Sequence, residues 1–388
     1  LRHQDERYVS ASEASSLLGI KKASLYSYVS RGLVRVAASQ DDPRARLYHV
    51  DDLKTLIDRK LQRRPAGAVE RALDFGMPVL ETRITRISGG HLSYRGVDAI
   101  ELARSASFEE VAGLLWQVPS PPPAMKFQVE HVKGWKDSAR RDEGSACERA
   151  LMLVPLLLGS DRSHVRVAPK IIEMARLVGA IASAASGMQG VDDLPLDQAL
   201  ARHWRRREAQ DAIRAALILC ADHELNASTF AVRVTASTGA SLTASLIAGL
   251  AALSGPRHGG MTVRVARFIN ELKPRALRQQ LLQRLEQGDE LPGFHHPLYP
   301  LGDPRGKMLL ELSPANKELA AICHSVLDLA GTRPTLDVGL VAVERGYRLP
   351  QGAALTLFTI GRSVGWIAHA LEQRQSGQLI RPRARYVA

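Results

Sequence analysis

From residue 147 onward, apolar residues return at spacings of three and four through LMLVPLLL (151–158), IIEMARLVGAIASA (171–184), AIRAALILCADHEL (212–225) and LTLFTIGRSVGWIAHALEQ (355–373), while alternating runs are scarce. Such spacing lines one face of a helix and cannot line one face of a strand, so the body of the chain is expected to be almost entirely helical. No internal repeat of about 20 to 50 residues is present, which argues against a solenoid. The 388 residues allow two to three domains of ordinary size, and 45% hydrophobic against 24% charged residues is the balance of a folded chain. The longest apolar runs reach about ten residues, roughly half a membrane span. With no signal-peptide pattern either, a cytoplasmic location and no membrane partner are expected. Cys147, Cys220 and Cys323 are far apart and lie in or beside apolar runs, a usage that fits a reducing compartment and neither a disulfide framework nor a thiolate metal cage.

Composition changes near RKLQRRPAGA (59–68), where a basic run meets Pro65 and Gly67, so a leading domain over residues 1–65 is expected. PSPPPA (119–124) and the polar stretch to about residue 146 suggest an exposed excursion inside the larger domain. In the leading domain, Ser10 and Glu13 form a capping box before an apolar stripe, Ala14, Leu17 and Leu18, that stops at Gly19. A second short helix follows in KKASLYSYVSRGL, with Leu25, Tyr28 and Val29 facing inward and Gly32 ending it. A hairpin across residues 35–50, turning at Asp41, Asp42 and Pro43, and a last helix capped by Asp51 complete the pattern. This arrangement resembles the winged helix-turn-helix of MerR-type and excisionase-like proteins, which implies DNA as a partner. Thirteen basic against eight acidic residues over positions 1–65 suit phosphate contact, with Lys21, Lys22, Tyr26, Arg44 and Arg46 as candidate contacts. Small basic three-helix domains also serve as docking or dimerisation modules.

The chain carries a formal charge of +12 and a pI near 9.9, which favours an anionic partner without choosing one. No GxGxxG opens a helix after a strand, GDPRGKM from Gly302 lacks the glycine spacing and hydroxyl of a phosphate loop, and no HExxH is present. No metal and no resident cofactor are expected. Three segments carry chemistry instead. In ALSGPRHGGM (252–261) a tight turn surrounds His258; in LPGFHHPLYPLGDPRGK (291–307) prolines and glycines shape a loop holding His295, His296 and Arg305; in RPTLDVGLV (333–341) Asp337 interrupts an apolar run. Burial of that carboxyl would raise its basicity. Taken singly, these are a capping histidine, a surface histidine pair and a helix-capping aspartate. Taken together with many arginines, they supply what a carbon–carbon condensation on an acidic keto substrate requires: a base for a weakly acidic proton and donors for two oxygens.

LSGPRHGG, GFHHPLYPLGDPRGK and PTLDVGL are similar, in order and spacing, to the three catalytic segments of the citrate synthase family. The resemblance extends to residues 81–116, to ADHELNASTFAVRV (221–234), and to FTIGRSVGWIAHALEQ (358–373) with LIRPRARYV (379–387). It implies an all-helical fold with a large domain (66–258 plus 349–388) and a small domain (259–348) that closes over substrates. It implies Asp337 as the base acting on acetyl-CoA, His258 as donor to the enol oxygen and His296 as the group polarising the oxaloacetate ketone. His223, Arg305 and Arg362 would bind the oxaloacetate carboxylates, with Arg381 or Arg383 reaching in from a second subunit of a homodimer. Acetyl-CoA is a substrate on this reading, and 2-methylcitrate synthesis from propionyl-CoA or a DNA-linked metabolite sensor remain alternatives. Two departures stand out: His295 where the family usually has Gly, and Pro297 where many members have Arg.

Overall fold

The computed structural model describes residues 8–18, 20, 22–38, 46–53, 56, 80–118, 144–158, 171–188 and 194–382. They form two compact units, divided between Glu81 and Thr82. The domain boundary expected near residue 66 and the excursion at 119–143 lie outside the described residues.

In the first unit, β1 (Tyr8–Ser10) leads into α1 (Ala11–Leu18) through the expected capping box: the Ser10 amide donates to Glu13 Oε2 at 2.8 Å and the Glu13 amide to Ser10 Oγ at 3.3 Å. α2 (Lys22–Ser30) follows, and Gly32, at a φ of 68°, turns the chain out of it. β2 (Val36–Ala38) and β3 (Arg46–His49) pair antiparallel, and β1 adds to the far edge of β3, giving the order β1-β3-β2. Val9, Ala14, Leu18, Leu25, Val34, Tyr48 and Leu53 pack into one core between helices and sheet. Leu25 is buried as the stripe requires, and Tyr28 and Val29 pack partly against it. The next helix already begins at Val50, so Asp51 lies in its first turn and does not cap it. The neighbouring Asp52 instead receives the Arg35 guanidinium in a two-pronged contact at 2.8 and 2.9 Å, which holds its carboxyl down at about 2.

The second unit opens with a three-stranded antiparallel sheet, β4 (Thr85–Ser88), β5 (His91–Tyr94) and β6 (Val97–Asp98). Everything else described in it is helical or loop. Its core is built around α16 (Ala353–Ser376), a 24-residue helix buried on every side from Ala353 to Ala370. A helix apolar all round must lie inside the protein, and the Gly, Ala, Thr and Ser positions of this one let its neighbours come close. Around it pack α4 (Phe108–Trp116), α5 (Ala146–Leu158), α6 (Ile171–Ser186), α8 (Gln210–Cys220), α9 (Ala227–Ser237) and α10 (Leu242–Leu253). α3 (Ala99–Ser105) and α7 (Leu196–His203) flank α8. The remaining helices are α11 (Met261–Glu271), α12 (Leu277–Glu286), α13 (Pro304–Leu312), α14 (Lys317–Ala330) and α15 (Leu336–Gly346). α13 crosses α15 at Gly306, where a Cβ would stand 2.3 Å from the Thr335 carbonyl oxygen; only a missing side chain permits that crossing. All three cysteines are free thiols.

Candidate active site

Two helix starts, one helix interior and the turns and loops at 223, 258 and 296 bring six of the candidate residues into one cluster. Asp303 caps α13, accepting from the Arg305 amide at 3.0 Å, and Pro304 at the first helical position fixes the turn. The same carboxylate receives Arg305 Nε at 2.9 Å and Nη2 at 2.8 Å, and the Leu336 amide at the start of α15 at 3.0 Å. Burial opposes both charges, and each outweighs that penalty for the other: Asp303 is held below the usual carboxylate range and Arg305 above its ordinary value. One buried ion pair therefore fastens the Arg305 loop to the helix that carries Asp337.

Asp337 sits in the first turn of α15, whose N-cap is Thr335; the aspartate is not the cap. Its Oδ2 accepts from Thr335 Oγ1 at 3.4 Å, and its Oδ1 is buried without a hydrogen-bond partner. Burial raises this carboxyl to about 6, against the opposing pull of Arg305. The carboxyl that the sequence placed inside an apolar run is buried here.

The imidazoles meet around Tyr299. His223 Nε2 lies 3.0 Å from Tyr299 Oη, and the His223 and His296 rings meet edge-on with centroids 5.1 Å apart. Arg305 lies over the Tyr299 ring at 5.1 Å. His223 is pushed well below its ordinary value, first by burial and then by the charge of Arg305, with Arg362 adding to it. His296 is lowered to about 4 by burial and Arg305, and His258 to about 3 by burial and Arg362. All three rings are thus neutral near pH 7, able to donate or accept but carrying no charge.

His258 Nε2 is 2.8 Å from Ser228 Oγ, which also receives Trp366 Nε1–H at 3.1 Å and stands 2.8 Å from Asn226 Oδ1. Asn226 caps α9 through Thr229. The His258 ring meets Phe358 edge-on at 5.8 Å, and the Arg362 guanidinium covers the same phenyl ring at 5.1 Å. Arg362, 1% exposed in the middle of α16, donates from Nε to the Cys220 carbonyl at 2.7 Å, while its Nη1 has no hydrogen-bond partner. Burial lowers its pKa. An unpartnered guanidinium nitrogen and an unpartnered carboxylate oxygen in one interior cluster are costly unless a ligand completes them.

The doubled histidine is resolved by position. His296 belongs to the cluster, whereas the His295 side chain is exposed and its backbone takes a φ of 81°, donating its amide to the Arg333 carbonyl at 3.1 Å. A left-handed backbone is where glycine is favoured, so a glycine would sit here without strain and His295 does not. His295→Gly is expected to raise the unfolding free energy by about 1 kcal/mol, the relief of left-handed strain less the extra chain entropy of glycine. Urea unfolding of the two chains measures it.

Other candidates stand apart. Arg381 is exposed near the end of the described chain. Tyr26 is 54% exposed on α2 and Arg46 is exposed on β3. Arg383, Lys21, Arg44 and the side chain of Lys22 lie outside the described residues. Sequence reasoning passed over Asp303, Tyr299, Ser228 and Trp366. Asp-Pro-Arg does announce a helix cap, but nothing local marks Tyr299 or Ser228, whose partners are 76 and 30 residues away.

Residues 73–383 match the family model "Citrate synthase, C-terminal domain". The chain is 30% identical over 367 residues to the citrate synthase of Haloferax volcanii, covering 83% of this chain and 96% of that one. It is 28% identical over 359 residues to the 2-methylcitrate synthase of Shewanella oneidensis, covering 83% and 94%. Among solved structures, the citrate synthase of Thermoplasma acidophilum, in a ternary complex with carboxymethyl coenzyme A and oxaloacetate, superposes with a TM-score of 0.71 at 25% identity over 82% of this chain and 96% of that one. With the mostly helical body, the buried carboxylate and the neutral imidazoles in place, the chain belongs to the citrate synthase family, acyltransferases that convert the acyl group to alkyl on transfer.

Proposed function

We propose that this enzyme condenses acetyl-CoA with oxaloacetate and hydrolyses the resulting citryl thioester to citrate and CoA. The observation that carries the reading is Asp337, buried, basic to about 6 and with one oxygen unpartnered, beside two histidines that are neutral near pH 7. Asp337 takes a proton from the thioester methyl group. His258 donates to the enol oxygen from Nδ1–H as charge develops there, a tautomer that forms when Ser228 turns its one proton from Asn226 Oδ1, to which it donates in this structure, to His258 Nε2. A neutral imidazole matches the weak acidity of an enol better than an imidazolium would. His296 polarises the ketone and passes a proton to it as the bond forms, and water then cleaves the thioester.

Arg305, with Nε and Nη2 committed to Asp303, retains Nη1 for a substrate carboxylate, and Arg362 Nη1 and His223 complete the binding of the two carboxylates. Arg381 or Arg383 of the partner subunit would complete the anion site in a homodimer. Residues 259–348 act as the small domain that closes on the large one and excludes water until condensation is complete.

The test is release of free CoA, followed with a thiol reagent, from acetyl-CoA and propionyl-CoA in parallel, each with and without oxaloacetate. Oxaloacetate-dependent release that favours acetyl-CoA is expected. One methylene changes binding by about 1–3 kcal/mol, so a preference for propionyl-CoA would make the enzyme a 2-methylcitrate synthase by a modest change in one pocket. No release with either thioester, in a chain that still binds oxaloacetate, would turn the body into a metabolite sensor.

For the leading unit we propose a winged helix-turn-helix that binds DNA. Three residues separate α1 from α2, β2 and β3 supply a wing, and Tyr26 and Arg46 are exposed on α2 and β3. Binding of the full chain to duplex DNA should weaken with salt, with a log–log slope of about −0.9 per phosphate contact, and Arg46→Ala should lower the slope by about one contact. Salt-independent or absent binding, read by fluorescence anisotropy, would leave this unit a docking module.

A further inference from the structure

The C-terminal end of α8 is fastened to α16 residue by residue. Arg362 Nε donates to the Cys220 carbonyl at 2.7 Å, the Gly365 amide approaches the Ala221 carbonyl at 3.1 Å, and His369 Nε2 lies 3.2 Å from Asp222 Oδ2. Positions 362, 365 and 369 form one stripe of a helix, at spacings of three and four, and they hold three consecutive residues of the turn. The fourth residue of that turn is His223. A Cβ at position 365 would stand 2.1 Å from the Ala221 carbonyl oxygen, so the two backbones touch with no room for adjustment.

His369 and Asp222 are both fully buried, and neither has a place in the proposed chemistry. On the other side of the His369 ring, Arg233 Nη1 stands 3.5 Å from Nδ1 and is itself anchored to Glu372 at 2.9 Å, while Arg233 Nε holds Gln373 at 2.9 Å. A guanidinium has donors only, so Nδ1 is the ring's acceptor and the ring proton is on Nε2, aimed at Asp222. The histidine is thereby locked in one tautomer between a fixed cation and a fixed carboxylate.

We propose that His369 is a positioning residue for the keto-diacid end of the site: its Nε2–H holds Asp222, and through the 220–223 turn fixes both the His223 ring and the carbonyl that aims Arg362. The inference rests on the assignment of His223 and Arg362 to oxaloacetate. Two polar substitutions separate its two contacts. His369→Asn keeps an acceptor near the Nδ1 position for Arg233 but cannot reach Asp222; His369→Gln places an amide N–H near the Nε2 position and gives up the acceptor.

In the full-length enzyme, His369→Asn is expected to raise the KM for oxaloacetate by about ten- to a hundredfold, the size of one hydrogen bond to a charged group, with the KM for acyl-CoA unchanged within about twofold. His369→Gln is expected to keep the oxaloacetate KM within about threefold of the parent. Asp222→Asn, which turns half of the acceptor face into a donor, is expected to follow His369→Asn and carries the measurement if that variant does not fold. Equal values in the Asn and Gln variants, or rises in both substrates together, overturn the proposal, since a merely structural role predicts those. Arg362→Gln, run in parallel, separates the premises. Unchanged oxaloacetate saturation there refutes the site assignment, whereas a rise there with parental values in His369→Asn refutes the positioning role alone.

Discussion

Asp337→Asn is expected to lower kcat by about a thousandfold or more while making the protein harder to unfold at pH 7. Removing a general base costs about 10²- to 10⁴-fold, and the amide keeps the shape of the site without its basicity. The stability gain follows from the raised pKa. A carboxyl at about 6 in the folded chain against an ordinary 3.8 binds its proton more tightly when folded, so its contribution to stability is full below about 4 and is lost as the pH rises towards 6. At neutral pH the native protein therefore bears an ionised, half-partnered carboxylate that the Asn variant lacks. A difference of about 3 kcal/mol in favour of the variant is expected at pH 7, vanishing below pH 4. The parent's kcat/KM should fall tenfold per pH unit below about 6 as the base takes up its proton. Steady-state kinetics and urea unfolding at pH 4 and pH 7 test both halves. A variant that is slow but no more stable at pH 7 would mean the carboxylate is not desolvated in solution.

The second large effect concerns Arg305. Arg305→Met leaves Asp303, completely buried, without the cation that keeps it ionised. Removing one partner of a buried pair costs about 3–5 kcal/mol, and here the same carboxylate also caps α13 and holds the Leu336 amide, so the loss should reach the start of α15. Adding Asp303→Asn removes the stranded charge and keeps an oxygen for the cap. The double variant should regain most of the stability but none of the activity, because the cation for the substrate carboxylate is gone. A single variant as stable as the parent would show that the pair adds nothing to the fold. A double variant with parental oxaloacetate saturation would take Arg305 out of the substrate site.

The helical body was legible because its signal is local: apolar spacing, Asn and Ser caps and glycine stops are all short-range. The chemistry-bearing segments were legible for a different reason, since an aspartate inside RPTLDVGLV or an arginine inside LTLFTIGRSVG violates the apolar pattern around it. Tyr299, Ser228, Asp222 and His369 violate nothing locally. Their roles come from partners 30 to 147 residues away, and no spacing rule reaches that far. His295 was visible as an oddity, but its meaning, a side chain standing at a left-handed backbone position, required the φ angle.

The fastening of α16 to the end of α8 also sets the order in which the protein can come into being. Its contacts join residues 142 and 147 positions apart, and the later side of each belongs to α16. During synthesis the N-terminal parts leave the ribosome first, and closing such long loops is slow. The helix against which the body packs emerges after every described helix that it holds. Until it emerges, a growing chain holds Asp337, His258 and His296 but not Arg362 or His369, and so not the contacts that fasten the end of α8. A chain without α16 therefore exposes the apolar surfaces that this helix covers, which makes it a natural target for chaperones and proteases.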